Sequence, residues 1–486
     1  MLSWRASCIG KRIQSLEAEI GRVSAKHHAY NVPQFVYGAL LDVLDKATSD
    51  VTRAKQRFEA SADSFDARQF AAILNTIEED VTFAVKLFRN CDRVDSARVP
   101  FEILAALTSA AQTLLGENVS VILHLTSEYN YKIYSCSAWF QKAKWKNPWP
   151  ASSSADVLIL VFPSYEVSSV TLHAAAAHEF GHVLAANWAP ELAKIILPAV
   201  NARHLETPDE KNLAVAERVI KVPGAGDVLY ATAWDEIQER LVLTPIQWAT
   251  EVTADLIASR LVGPAFIAAL ERITLAATEA SDSHPSDRLR RSYLADYLRS
   301  ELPEIAEDLA WESLLQPGDA ISTGRTLPPR FGGEDYIYKV ATLVLRDCYP
   351  KLKELVRRIP SPLLTAPAHE ESISETKLPP HNSLPAMLTH IDGSFSDLVP
   401  PSCGCEIFSD GDVARHFWLF FYGAWRFRLG PLFNQFYGAR SSNANGSQAE
   451  NVMNSMLLHS LQSLSVSLRV HTFRRPSEAE VNTHGG

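Results

Sequence analysis

The run His178-Glu179-Phe180-Gly181-His182 constrains this chain more than any other feature of its sequence. It sits in an alanine-rich segment, Thr171 to Asn187, that contains no proline and is dominated by helix formers. A helix repeats every 3.6 residues, so the two histidines leave one face together and can grip a single metal ion. Glu179, next to the first histidine, can then point at a water on that ion. Ser168 and Ser169 offer N-caps, and Pro190 stands just past the expected helix end. Gly181 costs the helix roughly 1 kcal/mol against alanine, which makes sense where another element must come close. His173, five residues before the first ligand, falls off the ligand face and reads as structural.

Two imidazoles do not complete a catalytic zinc site, which takes three protein ligands and keeps a fourth position open. The best third candidate is Glu251, in Trp248-Ala-Thr-Glu-Val-Thr-Ala-Asp255. Trp248, Val252 and Leu256 recur at helical spacing and predict a second amphipathic helix. Glu251 and Asp255 stack one turn apart on it. The first would bind the metal, and the second would accept the free ring N–H of a ligating histidine. Glu236 and Glu239 are rival ligands, although Asp235 to Arg240 reads as an exposed charged face. The set implies one Zn2+ per chain, with His178, His182 and Glu251 as ligands and Glu179 as general base for a metal-activated water.

His-Glu-x-x-His followed by Glu-x-x-x-Asp on a later helix resembles the gluzincin metallopeptidases, in which glutamate is the third ligand. Ser283-His-Pro-Ser-Asp-Arg-Leu-Arg290 is similar to the His-Pro-x-x-x-x-Arg signature of the HtpX and CAAX-prenyl-protease group, and Glu251-Val-Thr-Ala-Asp255 also suits that group. The resemblance covers roughly residues 155–295, with its three motifs in the expected order. It implies a zincin-like core and zinc-dependent hydrolysis of peptide bonds in a peptide or protein substrate. By the same resemblance, His284 or Arg290 donates to the oxyanion that develops; the hydroxyls of Tyr293 and Tyr297 are alternatives. Members of the group are often membrane-embedded. The longest aromatic-apolar stretch here, His416 to Trp425, falls short of the 18 or more residues that span a bilayer. The resemblance therefore implies a soluble relative. A reading from another class is a non-catalytic protein that keeps the zinc site as a sensing or interaction module. Glu179 separates the two, because a structural site has no use for a general base.

The expected fold is α+β and mostly α-helical, with a small sheet in the core and helical flanks. Asp156 to Phe162, closed by Pro163, reads as a buried strand, and Val119 to Leu125 as another, entered through the turn Gly116-Glu-Asn118. Strand, short loop, then metal helix is the order expected where a sheet edge lines a cleft and binds an extended peptide. Three regions follow: a helical one over 1–100, the metal core over 101–300, and a helical one over 301–486. In the first, Ile13, Leu16, Ile20 and Val23 form one apolar stripe, too short to claim a coiled coil. Amphipathic segments follow at 36–60 and 66–92. Residues 187–247 read as a long insertion between the two metal helices, with a turn at Val222 to Asp227. Helices are expected near 334–358, 411–428 and 447–470, the aromatic run 417–427 as core, and the Pro/Ser-rich stretch 359–404 as a loop. The tail from Arg474 reads as disordered, and the helical flanks leave room for a partner protein.

With 46 basic against 56 acidic residues, the net charge of −10 argues against nucleic acid or an anionic membrane surface as the main partner. Six scattered cysteines give no disulfide framework and suit a reducing compartment. Cys403-Gly-Cys405 has no partner cysteines at metal-site spacing and reads as an inert loop. The N-terminus lacks the apolar core of a signal peptide, so a cytoplasmic location is expected.

Overall fold

A computed structural model of the chain describes residues 2–24, 34–60, 65–92, 101–126, 131–142, 156–164, 169–204, 226–273, 279–315, 334–364, 384–402, 410–433, 435 and 446–474. It is mostly helical, with one small mixed sheet, and divides into two compact units, Met1–Val167 and Ser168–Gly486. The division falls inside the 101–300 stretch that the sequence motifs group together. The sheet belongs to the first unit and the histidine helix to the second.

Three long helices open the first unit: α1 (Leu2–Ser24), α2 (Gln34–Ala60) and α3 (Phe65–Asp92). Each buries residues at alternating three- and four-residue steps: Ile9, Ile13, Leu16 and Ile20; Leu40, Leu44, Ala47 and Val51; Phe70, Leu74, Ile77 and Val81. That is the heptad stripe of bundle packing, and it runs longer in all three helices than the four positions of α1 suggest. Phe58 stacks on Phe70 while Tyr37 meets Phe88 edge-on, so α2 and α3 lie antiparallel. The same core continues into the sheet through Ile122, Val157, Ile159 and Val161.

Helix α4 (Phe101–Leu115) ends at Gly116, whose φ of 119° suits a residue without a Cβ, and the chain turns there into β1 (Val119–Thr126). Two elements without a strong sequence signal follow, the short strand β2 (Lys132–Ser135) and helix α5 (Cys136–Lys142). Strand β3 (Asp156–Pro163) lies in the middle, parallel to β1 and antiparallel to β2. Its unbroken apolar run is what a central strand covered on both faces requires. Asp156 ties this corner together, accepting from Ser137 N and from the Ser135 hydroxyl.

In the second unit, a 3-10 segment (Val170–Ala175) leads into α6 (Ala176–Asn187), followed by α7 (Ala189–His204). The long α8 (Gly226–Val262) is central, packing against α6, α7, α9 (Ala265–Ile273), α10 (Asp287–Glu301), α11 (Glu334–Val356) and α13 (Asp410–Leu429). Helices α12 (Leu384–Ser396) and α14 (Gly446–Arg474) also belong to the unit, with short helical turns at Pro303–Ala306, Leu309–Trp311, Glu312–Leu315 and Pro431–Phe433.

Four expectations are corrected here. From Glu251 to Val262, α8 is buried on every side rather than amphipathic, because neighbours cover its whole circumference. Among the described residues, the 187–247 stretch is helical, as α7 and the first part of α8. The 359–404 stretch contains α12, whose Leu388, Ile391 and Phe395 form a buried stripe that the flanking prolines obscure in the sequence. The segment before α6 starts as a 3-10 turn rather than as a capped α-helix: Ser169 stands at its N-cap but makes no side-chain cap bond. Here Thr171 N donates to Asn454 Oδ1 and Thr171 O accepts from Trp425 Nε1, so tertiary bonds hold this peptide. Ser168, most of the 222–227 turn, Cys403, Cys405 and the tail beyond Arg474 lie outside the described residues. No single described helix is long and apolar enough to cross a membrane; the one apolar pair, Val170–Asn187 with Ala189–Arg203, is bent by 81°.

Candidate metal centre

The site is made where α6 crosses α8. A Cβ built on Gly181 would lie 2.8 Å from both Cα and O of Ala254, well inside van der Waals contact. Glycine here lets the two backbones touch, and it answers the question its helix penalty raised. His178 lies three residues before Gly181 and Glu251 three before Ala254, so one helical turn from the contact both side chains enter the same space.

His178, His182 and Glu251 each offer a ligand atom, all within 4.8 Å of one another. His178 Nε2 and His182 Nε2 are 3.0 Å apart. The nearest Glu251 oxygens lie 3.6 Å from the first and 3.4 Å from the second. A tetrahedral ion with ligand bonds of about 2.0–2.1 Å separates its ligand atoms by roughly 3.3 Å, which is close to these separations, with Glu251 turning Oε2 to His178 and Oε1 to His182. Glu251 Oε2 is buried and has no hydrogen-bond partner, an arrangement that a cation would relieve. The residues present therefore fit a single metal ion.

The electrostatics agree with that fit. Burial pushes the Glu251 carboxyl up to about 7, against the pull of His178 and Arg290. Burial also disfavours charge on His178, yet Asp255, Glu251 and Glu179 outweigh it and its pKa is raised. His182 is pushed down to about 3 by burial and by His178 beside it. Without a cation, the cluster must share protons among groups that are poorly solvated.

Asp255, fully buried, stands behind His178: its Oδ1 is 2.9 Å from Nδ1, the ring nitrogen facing away from His182. Arg290 grips the same carboxylate at two points, Nε to Oδ2 at 2.7 Å and an Nη to Oδ1 at 2.6 Å. Burial alone would raise the Asp255 pKa, but Arg290 and His178 reverse the sign and hold it below the usual carboxylate range. The sequence reading expects Asp255 to accept from a ligating histidine, and the structure places the two side chains together at Nδ1 and Oδ1. Its reading of Arg290 as an oxyanion donor does not match, because the guanidinium is turned to Asp255, on the Nδ1 side of His178.

His284 comes to the cluster from the turn before α10. Its Nε2 lies 3.4 Å from Glu251 Oε1, and Nδ1 lies 2.7 Å from the Ser283 hydroxyl. The turn is pinned to α8, since Trp248 Nε1 donates to Ser281 O and Arg240 pairs with Asp282. Ser286, not marked in the sequence, caps α10 by accepting from Leu289 N. Burial, then Arg290 and His178, lower the His284 pKa, although half of its side chain is exposed. Glu179 is buried on the first turn of α6, and its charge acts on both His178 and Glu251.

The other candidates lie elsewhere. Tyr293 packs on Tyr349, and Tyr297 is buried beside Arg260 and Glu301. Glu239 is exposed, and the Glu236 side chain lies outside the described residues. His173 is buried in the 3-10 segment. One neighbour of the cluster escaped sequence reasoning: the ring of Phe266, on α9, lies parallel to the His178 imidazole. Only the helix stop at Gly263-Pro264 hinted that the chain turns back there. Comparison with protein-family models, with curated proteins and with solved structures gives no match to this chain.

Proposed function

We propose that this chain is a zinc-dependent peptidase that uses Glu179 as general base. The observation that carries the reading is a buried carboxylate next to a three-ligand cluster of tetrahedral dimensions. Two imidazoles and one carboxylate at these separations suit zinc among the common divalent ions. When bound, zinc would lower the pKa of a water and polarise the scissile carbonyl. His178, His182 and Glu251 would hold it, and Glu251 would have to be ionised to do so.

The chain's own residues do the rest. Asp255, ionised, would accept a hydrogen bond from the Nδ1–H of His178 and so leave the Nε2 lone pair toward the cluster. Arg290 keeps Asp255 ionised and fixed, which makes it a positioning residue. Glu179 accepts a proton from the attacking water and returns it to the leaving amine. His284, its pKa lowered by burial, has Nδ1 beside the Ser283 hydroxyl; in the tautomer in which Nδ1 accepts from that hydroxyl, Nε2 carries the proton. That N–H stands at the exposed rim and is available to an oxyanion.

The test is Glu179→Gln. Zinc content should stay at the wild-type level while cleavage of an unstructured protein substrate falls by about 10²–10⁴-fold. Equal cleavage by variant and wild type, or no cleavage by zinc-loaded wild type across a diverse peptide library, overturns the reading. The second outcome leaves a non-catalytic metal module.

A further inference from the structure

We propose that Phe266 is a positioning residue for His178, its ring acting as a plate that fixes the plane of the imidazole. The proposal rests on the metal-centre reading and adds a residue that no motif marks. The two rings are 5.6 Å apart between centroids and only 9° from parallel. Phe266 is buried, so the plate is held by core packing rather than by solvent-exposed contacts. Asp255 meets His178 at Nδ1, and His182 and Glu251 meet it at Nε2; contacts at these two edge atoms do not by themselves fix the tilt of the ring. A flat neighbour removes the tilt, and with both constraints the direction of Nε2 is set before any ion arrives.

The backbone that delivers the plate is specialised. Helix α8 stops at Val262, and Gly263 takes a φ of +59°, where its N–H donates to Ser259 O. A Cβ at that position would lie 2.9 Å from Leu363 Cδ1 and 3.3 Å from the Tyr422 ring. Glycine thus meets both a conformational and a steric demand. The reversal lets α9 pack on the 3-10 segment that leads into α6, which brings Phe266 back over His178. A single stretch, residues 251–266, supplies the carboxylate ligand, the acceptor for Nδ1 and the plate. The histidines come from the other helix.

The experiment measures zinc affinity by competition with a chromogenic chelator, and the visible absorption spectrum of the Co2+-loaded protein, for the full chain. Phe266→Leu removes the ring at similar volume. Phe421→Leu is the control, since Phe421 is a buried ring of the same unit that packs on Phe417 and Trp418. The expected result is about tenfold weaker zinc binding with an altered cobalt spectrum in Phe266→Leu, and both readouts near wild type in Phe421→Leu. Unchanged affinity and spectrum in Phe266→Leu overturn the proposal, as do equal losses in both variants, which would mark a general effect of core damage. If Phe266→Leu does not fold, Phe266→Met is read by the same criteria. Failure of the wild type to bind either metal overturns the metal-centre reading itself, whereas wild-type binding that is indifferent to Phe266 overturns the plate alone.

Discussion

The α1–α3 bundle and the α6–α8 crossing are both helix packings, and they are built by opposite means. In the bundle, large apolar residues repeat every three or four positions and interdigitate along the full length of the helices. At the crossing, two backbones touch through Gly181 and Ala254, and the space beside them holds two imidazoles and a carboxylate. The bundle spreads its stabilisation over many equivalent positions. The crossing concentrates its specificity in a few, each held by a named partner. A packing meant only to be stable has no reason to bury Glu251, Asp255 and Arg290, whose charges are costly to desolvate.

The largest effect should come from breaking the buried pair. Asp255→Ala leaves the Arg290 guanidinium buried without its bidentate acceptor, and chemical denaturation should register a loss of about 3–5 kcal/mol. Metal affinity should fall as well, because His178 loses the acceptor on Nδ1. A variant as stable as wild type would show that the pair is idle.

In the bundle, Leu74→Ala removes a fully buried side chain and should cost about 2–5 kcal/mol. Metal content should not change, since the bundle and the metal cluster belong to separate units. Loss of metal together with stability in Leu74→Ala would show that the two regions are coupled.

The smallest effect is a titration. A carboxyl raised to about 7 favours the protonated form in the fold, so Glu251 stabilises the metal-free protein at low pH and that stability is lost as pH rises toward 7. Metal binding needs the ionised form and runs the other way. Zinc affinity should therefore fall at least about tenfold per pH unit below 7, and more steeply where His178, whose pKa is also raised, must lose a proton as well. Melting curves of metal-free and zinc-loaded protein should separate as pH rises from about 5 to about 7.5. Curves that stay parallel across this range would remove Glu251 from the ligand set.

The contrast also explains what the sequence made legible. Periodic apolar spacing announces α1–α3, and the run Asp156–Pro163 announces the central strand, because burial there depends on residue class alone. The grouping of His178, His182 and Glu251 was readable for a different reason: helical geometry fixes which residues of a His-Glu-x-x-His and a Glu-x-x-x-Asp segment share a face. Where contacts depend on the path between elements, the reading failed. Arg290, an oxyanion candidate alongside His284, instead holds Asp255, and nothing in the sequence says that this carboxylate lies between it and the histidine. Phe266 looked like one more apolar residue, and α12 was hidden by prolines that bound it rather than break it. The 3-10 start of the histidine segment depends on Asn454 and Trp425, more than 250 residues downstream.

The central claim is that two helices deliver His178, His182 and Glu251 to one ion. Metal content per chain, measured by plasma mass spectrometry after zinc loading and gel filtration, tests it most directly when wild type is compared with the His182→Ala/Glu251→Ala double variant. One zinc per wild-type chain and almost none in the folded double variant is the predicted result. Equal zinc content in the two proteins, or none in either, would contradict it.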